Sequence, residues 1–246
     1  MKNLGIVTAA SATALITASP GITQSDEVEV LSKWNYDALY EEGWSVKNML
    51  DQTDVIDANG EDIGDVEHVI FSNDGTILGV IAQVGGFWDL GDTHVHVPWD
   101  EVGMDTGIAQ IQIPVTEENV DDYDVFADYW TDEQIMTKED VDTTQAVEDD
   151  LVAGAGIFKA TDLMGDFAYL SDGTRYGYLS DIIVQDGSIS AIVSDARTYG
   201  RRGYYAYPYI PRGNMTSQRH DLPYDATQVD TIKNFNYQDL QSRVNP

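Results

Sequence analysis

The apolar positions of this chain come in short runs with a period near two, cut by glycine-bearing turns. Residues 65–72, 76–84 and 93–99 each read as a strand rich in β-branched side chains. Asp57-Ala58-Asn59-Gly60 and Asn73-Asp74-Gly75 separate them as turns, because asparagine and glycine accept the positive φ that tight hairpins demand. Gly85-Gly86 breaks the second strand, and Pro98, which lacks a ladder donor, ends the third. The same order then returns. Asp172-Gly173 turns, 178–185 runs as a strand, Asp186-Gly187 turns again, and strands follow at 188–195 and 203–209.

Gly60 and Gly64 thus recur as Gly173 and Gly177 at an offset of 113, Gly75 as Gly187 at 112, and Val97-Pro98-Trp99 as Tyr207-Pro208-Tyr209 at 110. Solenoid units run about 20–50 residues, so a repeat this long is a duplicated small domain. Aligning the copies assigns faces. Ile77, Gly79 and Ile81 correspond to Ile189, Ala191 and Val193, apolar in both copies and expected to face the core, with Leu78 and Ala82 on the other side. Val95, Val97 and Trp99 match Tyr205, Tyr207 and Tyr209 and are expected to point inward. His94 and His96, matching Tyr204 and Ala206, are expected to point outward.

Between the copies the period changes. Val120, Tyr123, Ala127 and Trp130 form one helical stripe, capped by Thr116 with Glu117 and Glu118 in its first turn, and Thr131-Asp132-Glu133-Gln134 is a capping box for a second short helix. Residues 139–150 read as a flexible charged linker. The expected division is an export signal at 1–25, an acidic lead-in at 26–44, one domain at 45–115, an acidic helical linker at 116–150, a second domain at 151–226 and a polar, weakly helical tail at 227–246.

Charge sharpens this picture. The net charge is −30, and it is uneven: 33 acids face only Lys33, Lys47 and Lys138 between residues 26 and 150, whereas 10 acids face 9 bases from 151 onward. Such a field repels phosphate backbones and anionic lipid, which argues against nucleic-acid and membrane-surface partners for the first half. It serves either as a solubilising surface or as a docking surface for cations or a basic partner. Lys2, the uncharged stretch 4–18 and the small residues Ile16-Thr17-Ala18 before Ser19-Pro20 form a secretory pattern, with an uncleaved anchor as the alternative. No later segment is apolar and long enough to span a bilayer. The absence of cysteine excludes disulfides, Fe–S clusters, a lipidated N-terminal cysteine and thiol catalysis. A periplasmic or secreted protein is expected.

Candidate chemistry is sparse. Zincin, nucleophile-elbow and phosphate-loop signatures are missing. His94 and His96 sit on one strand face, and Asp92 adds an oxygen, so a surface zinc or copper site is the candidate, with ordinary exposed histidines as its alternative. Arg197, Arg201, Arg202, Arg212 and Arg219 interleave with Tyr199, Tyr204, Tyr205, Tyr207 and Tyr209, the composition of protein-interface anchors. Arg197, Arg201, Arg202, Tyr204 and Arg212 are the partner-binding candidates, set against a reading as solvated loops. The partner of this basic face is expected to be the chain's own acidic half or an acidic copy.

Three groups of residues carry a family resemblance. Asp57-Ala58-Asn59-Gly60-Glu61-Asp62-Ile63-Gly64-Asp65-Val66, Asn73-Asp74-Gly75, and Gly85-Gly86-Phe87 with Val97-Pro98-Trp99-Asp100 together resemble a PRC-barrel domain, the β-barrel of the photosynthetic reaction-centre H subunit. Ser171-Asp172-Gly173-Thr174-Arg175-Tyr176-Gly177, Asp186-Gly187 and Tyr207-Pro208-Tyr209 are similar. The resemblance implies a mainly β fold of two small barrels joined by the helical linker, with Gly60, Gly64, Gly75, Pro98, Trp99, Gly173, Gly177, Gly187 and Pro208 in structural roles. It implies protein contact rather than catalysis, with no catalytic residue and no cofactor to carry over. Family members often place an acid where this chain has His68, and the second copy keeps one at Asp181. The expected function is a non-catalytic exported adaptor or scaffold contacting a protein partner in the envelope, with self-association possible. The alternative is a periplasmic metal- or cation-binding protein using the acidic half and His94/His96.

Overall fold

The computed structural model describes residues 28–85, 93–104, 107–116, 118–123, 134–211 and 219–241. The expected export signal, Asp92, Gly86-Phe87, Glu117, Ala127, Trp130, residues 131–133 and Arg212 lie outside the described residues. No helix among them is long and apolar enough to cross a membrane.

Helix α1 (Asp37–Glu42) leads through strand β1 (Trp44–Ser45) into α2 (Val46–Gln52), where Ser45 Oγ caps the first turn by accepting from the Asn48 amide at 3.0 Å. Strands β2 (Asp54–Ile56), β3 (Asp62–Ser72), β4 (Ile77–Val84), β5 (Thr93–Pro98) and β6 (Gln110–Gln112) complete the first half. The middle of the chain forms β7 (Ile135–Met136), β8 (Gln145–Val147) and β9 (Val152–Ala153). The second half opens on β10 (Ile157–Lys159) and α3 (Ala160–Leu163). It continues through β11 (Phe167–Tyr169), β12 (Arg175–Gln185), β13 (Ser188–Asp195), β14 (Tyr204–Pro208) and β15 (Arg219–Asp221). Helices α4 (Ala226–Val229) and α5 (Tyr237–Gln241) follow.

One sheet runs β6-β2-β3-β4-β5-β8 and the other β14-β13-β12-β11-β15. Their central strands match in order and sense: β6 lies parallel to β2, as β15 does to β11, and the remaining neighbours are antiparallel. The turn glycines behave as their chemistry requires, with φ of 91° at Gly75 and 72° at Gly187.

The halves are interlocked. β1, from the first half, pairs with β12 of the second, and β10, from the second half, pairs with β3 of the first. The registers correspond, Trp44 opposite Val184 and Phe158 opposite Phe71. The hairpin tips also clasp each other: the Ile77 amide donates to Gly187 O at 2.9 Å, and the Ile189 amide to Gly75 O at 2.8 Å.

This exchange corrects the expectation of two separate barrels. Each half lends its leading strand to the other sheet, neither sheet closes into a barrel, and the two share one core. Val55, Val66, Val80, Val95 and Val97 of the first sheet pack in one cluster with Tyr176, Leu179, Ile192 and Tyr207 of the second.

Each sheet is also covered on its outer side. Met136, Val141, Leu151 and Ile157 lie over Ile70 and Ile81 of the first sheet. Tyr36 just before α1, Leu39 within it, Phe235 before α5 and Leu240 within it lie over Ile183, Ala191, Val193 and Ala206 of the second. Four sequence expectations change as a result. Ile81, Ala191 and Val193 face these covers, whereas Val80, Ala82 and Ile192 fill the shared core. The described part of 116–150 is a short 3-10 turn at Val120–Tyr123 followed by strands, with β8 hydrogen-bonded to β5, so it is a sheet cover rather than a helical linker. The tail is packed, with Val229, Phe235 and Leu240 buried. His96 is fully buried and His94 is only 12% exposed, because the 134–157 cover lies over the face that was expected to be open.

Candidate functional site

A β-bulge builds the histidine site. The β3–β4 register steps from Val66 opposite Ala82 to His68 opposite Ile81, leaving Glu67 without a cross-strand partner. Glu67 Oε2 lies 3.0 Å from His94 Nε2 without hydrogen-bond geometry, and Asp149 Oδ1 lies 3.8 Å from the same nitrogen. The three ligand atoms fall within 4.8 Å of one another. Burial pushes the Glu67 carboxyl up, opposed by His94 and reinforced by Asp149.

His96 does not join this group. Its Nδ1 sits 3.2 Å from Thr143 O, and its Nε2 is buried without a partner beside Gly79, where an added Cβ would lie 2.5 Å from it. Burial depresses its basicity. The expected His94/His96 pair is therefore replaced by Glu67, His94 and Asp149. Sequence spacing could not reveal that set, because it depends on the bulge and on the cover segment folding back. His68 meets Thr161 Oγ1 at 3.0 Å, and burial, with Lys159 and His94 nearby, lowers it to about 4.

The second sheet repeats the bulge with different chemistry. Its register steps from Leu179 to Asp181, leaving Ser180, whose hydroxyl donates to Val193 O at 3.1 Å. The position matching His94 is Tyr204, packed edge-on against Tyr237 at 5.1 Å. Asp181, matching His68, is fully buried. It accepts from Ser45 Oγ at 2.5 Å and from the Lys47 amide at 2.9 Å, so it anchors the start of α2 across the boundary between the halves.

The partner-binding candidates scatter. Arg197 is exposed but paired with Asp195, its Nη2 2.5 Å from Oδ2. Arg201 is a structural clamp rather than a docking residue. It donates to Tyr176 Oη at 2.9 Å, to Val229 O and to Ile232 O at 3.0 Å, and it stacks over Tyr205 at 3.8 Å. Arg202 and Tyr204 are exposed, and Arg212 lies outside the described residues.

The arginine–aromatic surface lies elsewhere, on the solvent face of β12, β11 and β15. Arg175 stacks over Phe167 at 3.8 Å and donates to Tyr178 Oη at 2.6 Å; Arg219 stacks over Tyr169 at 4.2 Å and pairs with Asp221 at 2.7 Å. Register aligns them, Phe167 opposite Tyr178 on one side and Arg219 on the other. In the sequence only Arg219 and the alternation Arg175-Tyr176-Gly177-Tyr178 hinted at this face, and the three strands had to be assembled to complete it.

The motif residues serve the interlock and the turns. Trp99 stacks on Trp44 at 5.8 Å, and Tyr209, after Pro208, donates to Asn73 O at 3.2 Å across the halves. Pro98 pairs in register with Gly79, and Pro208 with Ala191. Gly60 and Gly173 have positive φ, 81° and 83°.

Residues 48–120 match the family described as the PRC-barrel domain, a span that starts within α2 and covers β2 to β6. One copy is matched. No curated protein matches the chain.

Proposed function

We propose that this protein, which carries a PRC-barrel domain at residues 48–120, is a non-catalytic exported scaffold that binds a protein partner in the envelope. Its second half is read as a diverged copy of the same module, supported by the shared strand order and the matching bulges. One observation carries the assignment of the contact face: two guanidinium groups stacked on partly exposed aromatic rings, on a part of the sheet that the covers leave open. Arginine on aromatic rings is the composition of interface hot spots, and such anchors typically contribute about 2 kcal/mol or more each. Crosslinking in native cells followed by mass spectrometry tests the reading. Arg175→Glu with Arg219→Glu should lose a specific envelope partner that the wild type retains, and unchanged crosslinks would overturn the assignment.

A second reading, cation binding, is favoured by the Glu67–His94–Asp149 group. Tetrahedral zinc with legs of about 2.0–2.2 Å sets its ligand atoms roughly 3.3–3.6 Å apart, and the distances of 3.0 and 3.8 Å bracket that spacing. Tag-free protein incubated with zinc and dialysed should retain about one ion per chain, and His94→Ala should retain none. Zinc retention near zero in the wild type would sink this reading.

A further inference from the structure

The face opposite the arginine–aromatic surface is its positional counterpart in the first sheet. Asp54 pairs with Asp65 as Phe167 pairs with Tyr178, and Ile56 pairs with Asp62 as Tyr169 pairs with Arg175. Likewise Asp54 pairs with Gln110 as Phe167 pairs with Arg219, and Ile56 with Gln112 as Tyr169 with Asp221. The burial patterns agree: Val55, Ile63, Val66 and Ile111 point into the shared core, as do Ala168, Tyr176 and Leu179, so the residues between them face solvent on both sheets.

At matching positions, then, one sheet presents three exposed carboxylates and the other two arginines on three aromatic rings. Asp54, Asp62 and Asp65 have no cation within ion-pair distance among the described residues, and the cover over Ile70 and Ile81 leaves them open. The two sheets share one core, so these faces point in opposite directions and cannot meet within one molecule.

We infer that the protein associates head to tail with further copies of itself, the Asp54/Asp62/Asp65 face of one molecule docking on the Arg175/Arg219 aromatic face of the next. This inference rests on the contact face proposed above and names its partner. Different surfaces meet, so the contact is heterologous and propagates into rings or filaments rather than closing as a two-fold dimer. The net charge of −30 repels copies at long range, but that repulsion is screened beyond about 8 Å at physiological salt, whereas guanidinium–carboxylate contacts lie well inside that distance. A contact made by these few exposed side chains belongs to the weak, transient class of interfaces, below about 1,200 Å² in total.

Sedimentation velocity on the purified mature chain at physiological salt tests the inference. The mean mass of the wild type should rise with concentration up to about 1 mM, the range of weak association. Arg175→Glu/Arg219→Glu and Asp54→Lys/Asp62→Lys/Asp65→Lys should each stay monomeric, with unchanged circular dichroism because all five positions are exposed. Mixing the two variants should restore assembly, since every face then meets an opposite charge. A monomeric wild type, assembly that survives both reversals, or a mixture that stays dissociated would overturn the inference. If the wild type is monomeric yet the arginine variant still loses an envelope crosslink, the self-association fails and the scaffold reading stands. If assembly is seen and no envelope crosslink changes, the adaptor reading fails instead.

Discussion

Alanine at Gly64 or Gly177 is expected to unfold the protein under conditions where the wild type is stable, a loss above about 4 kcal/mol, whereas alanine at Gly60 or Gly173 costs only about 1–2 kcal/mol. All four are glycines of one repeated motif, but they serve two purposes. Gly60 and Gly173 sit in turns with φ of 81° and 83° and nothing within 4 Å of an added Cβ, so only backbone preference is lost. A Cβ on Gly64 would lie 1.9 Å from Gln83 O, and one on Gly177 would lie 2.0 Å from Asp195 O. Those oxygens belong to the neighbouring strand's backbone, which can retreat only if the ladder opens. Urea unfolding of the four single variants distinguishes the classes, and similar midpoints for all four would show that the close approach is not what these positions require.

Asp181→Ala is expected to cost about 2–4 kcal/mol, because it strands the Ser45 hydroxyl and the Lys47 and Ile182 amides inside the protein. Its charge adds a pH dependence. Burial pushes the Asp181 carboxyl up to about 6, even though the hydrogen bonds it accepts pull the other way. The folded state therefore holds this proton more tightly than the unfolded chain, whose aspartate titrates near 3.9. The stabilisation from that proton is fully present below about pH 4 and is lost as pH rises through about 6. Asp166 is also raised to about 6 by burial, and His68 and His96 are depressed, so the wild-type profile mixes opposing slopes. Subtracting the profile of Asp181→Asn isolates the one group. The difference should shift against the wild type by roughly 2 kcal/mol between pH 4 and 7. A flat difference would show that Asp181 titrates normally.

Much of the local structure was legible. The strand expected at 188–195 is β13 as found, the others differ by a few residues at their ends, and each turn glycine assigned to a hairpin has positive φ. The inward placement of Val95, Val97, Tyr205 and Tyr207 also holds. The inversion at Ile81 and Val193 has a definite origin. Both faces of β4 and β13 are covered, and bulges at Leu78 and Ser190 reverse the alternation, so Ile77 and Ile189 face the shared core while Ile81 and Val193 face the covers. The histidines were misplaced because of the cover. Nothing near His96 in the chain announces that residues 134–157 will lie across it.

The amino-acid sequence by itself determined what depends on a few adjacent residues: where hairpins turn, which segments are extended, and that one half is strongly acidic. Only the tertiary structure decided which strands become neighbours. A two-residue strand such as Trp44–Ser45 has the same local pattern whichever sheet receives it, and its placement beside β12 rests on the shared core and on Asp181, more than a hundred residues away. From that exchange follow the single core and the opposed acidic and arginine–aromatic faces, while the bulge at Glu67 and the pairing of β8 with β5 bring Glu67, His94 and Asp149 together.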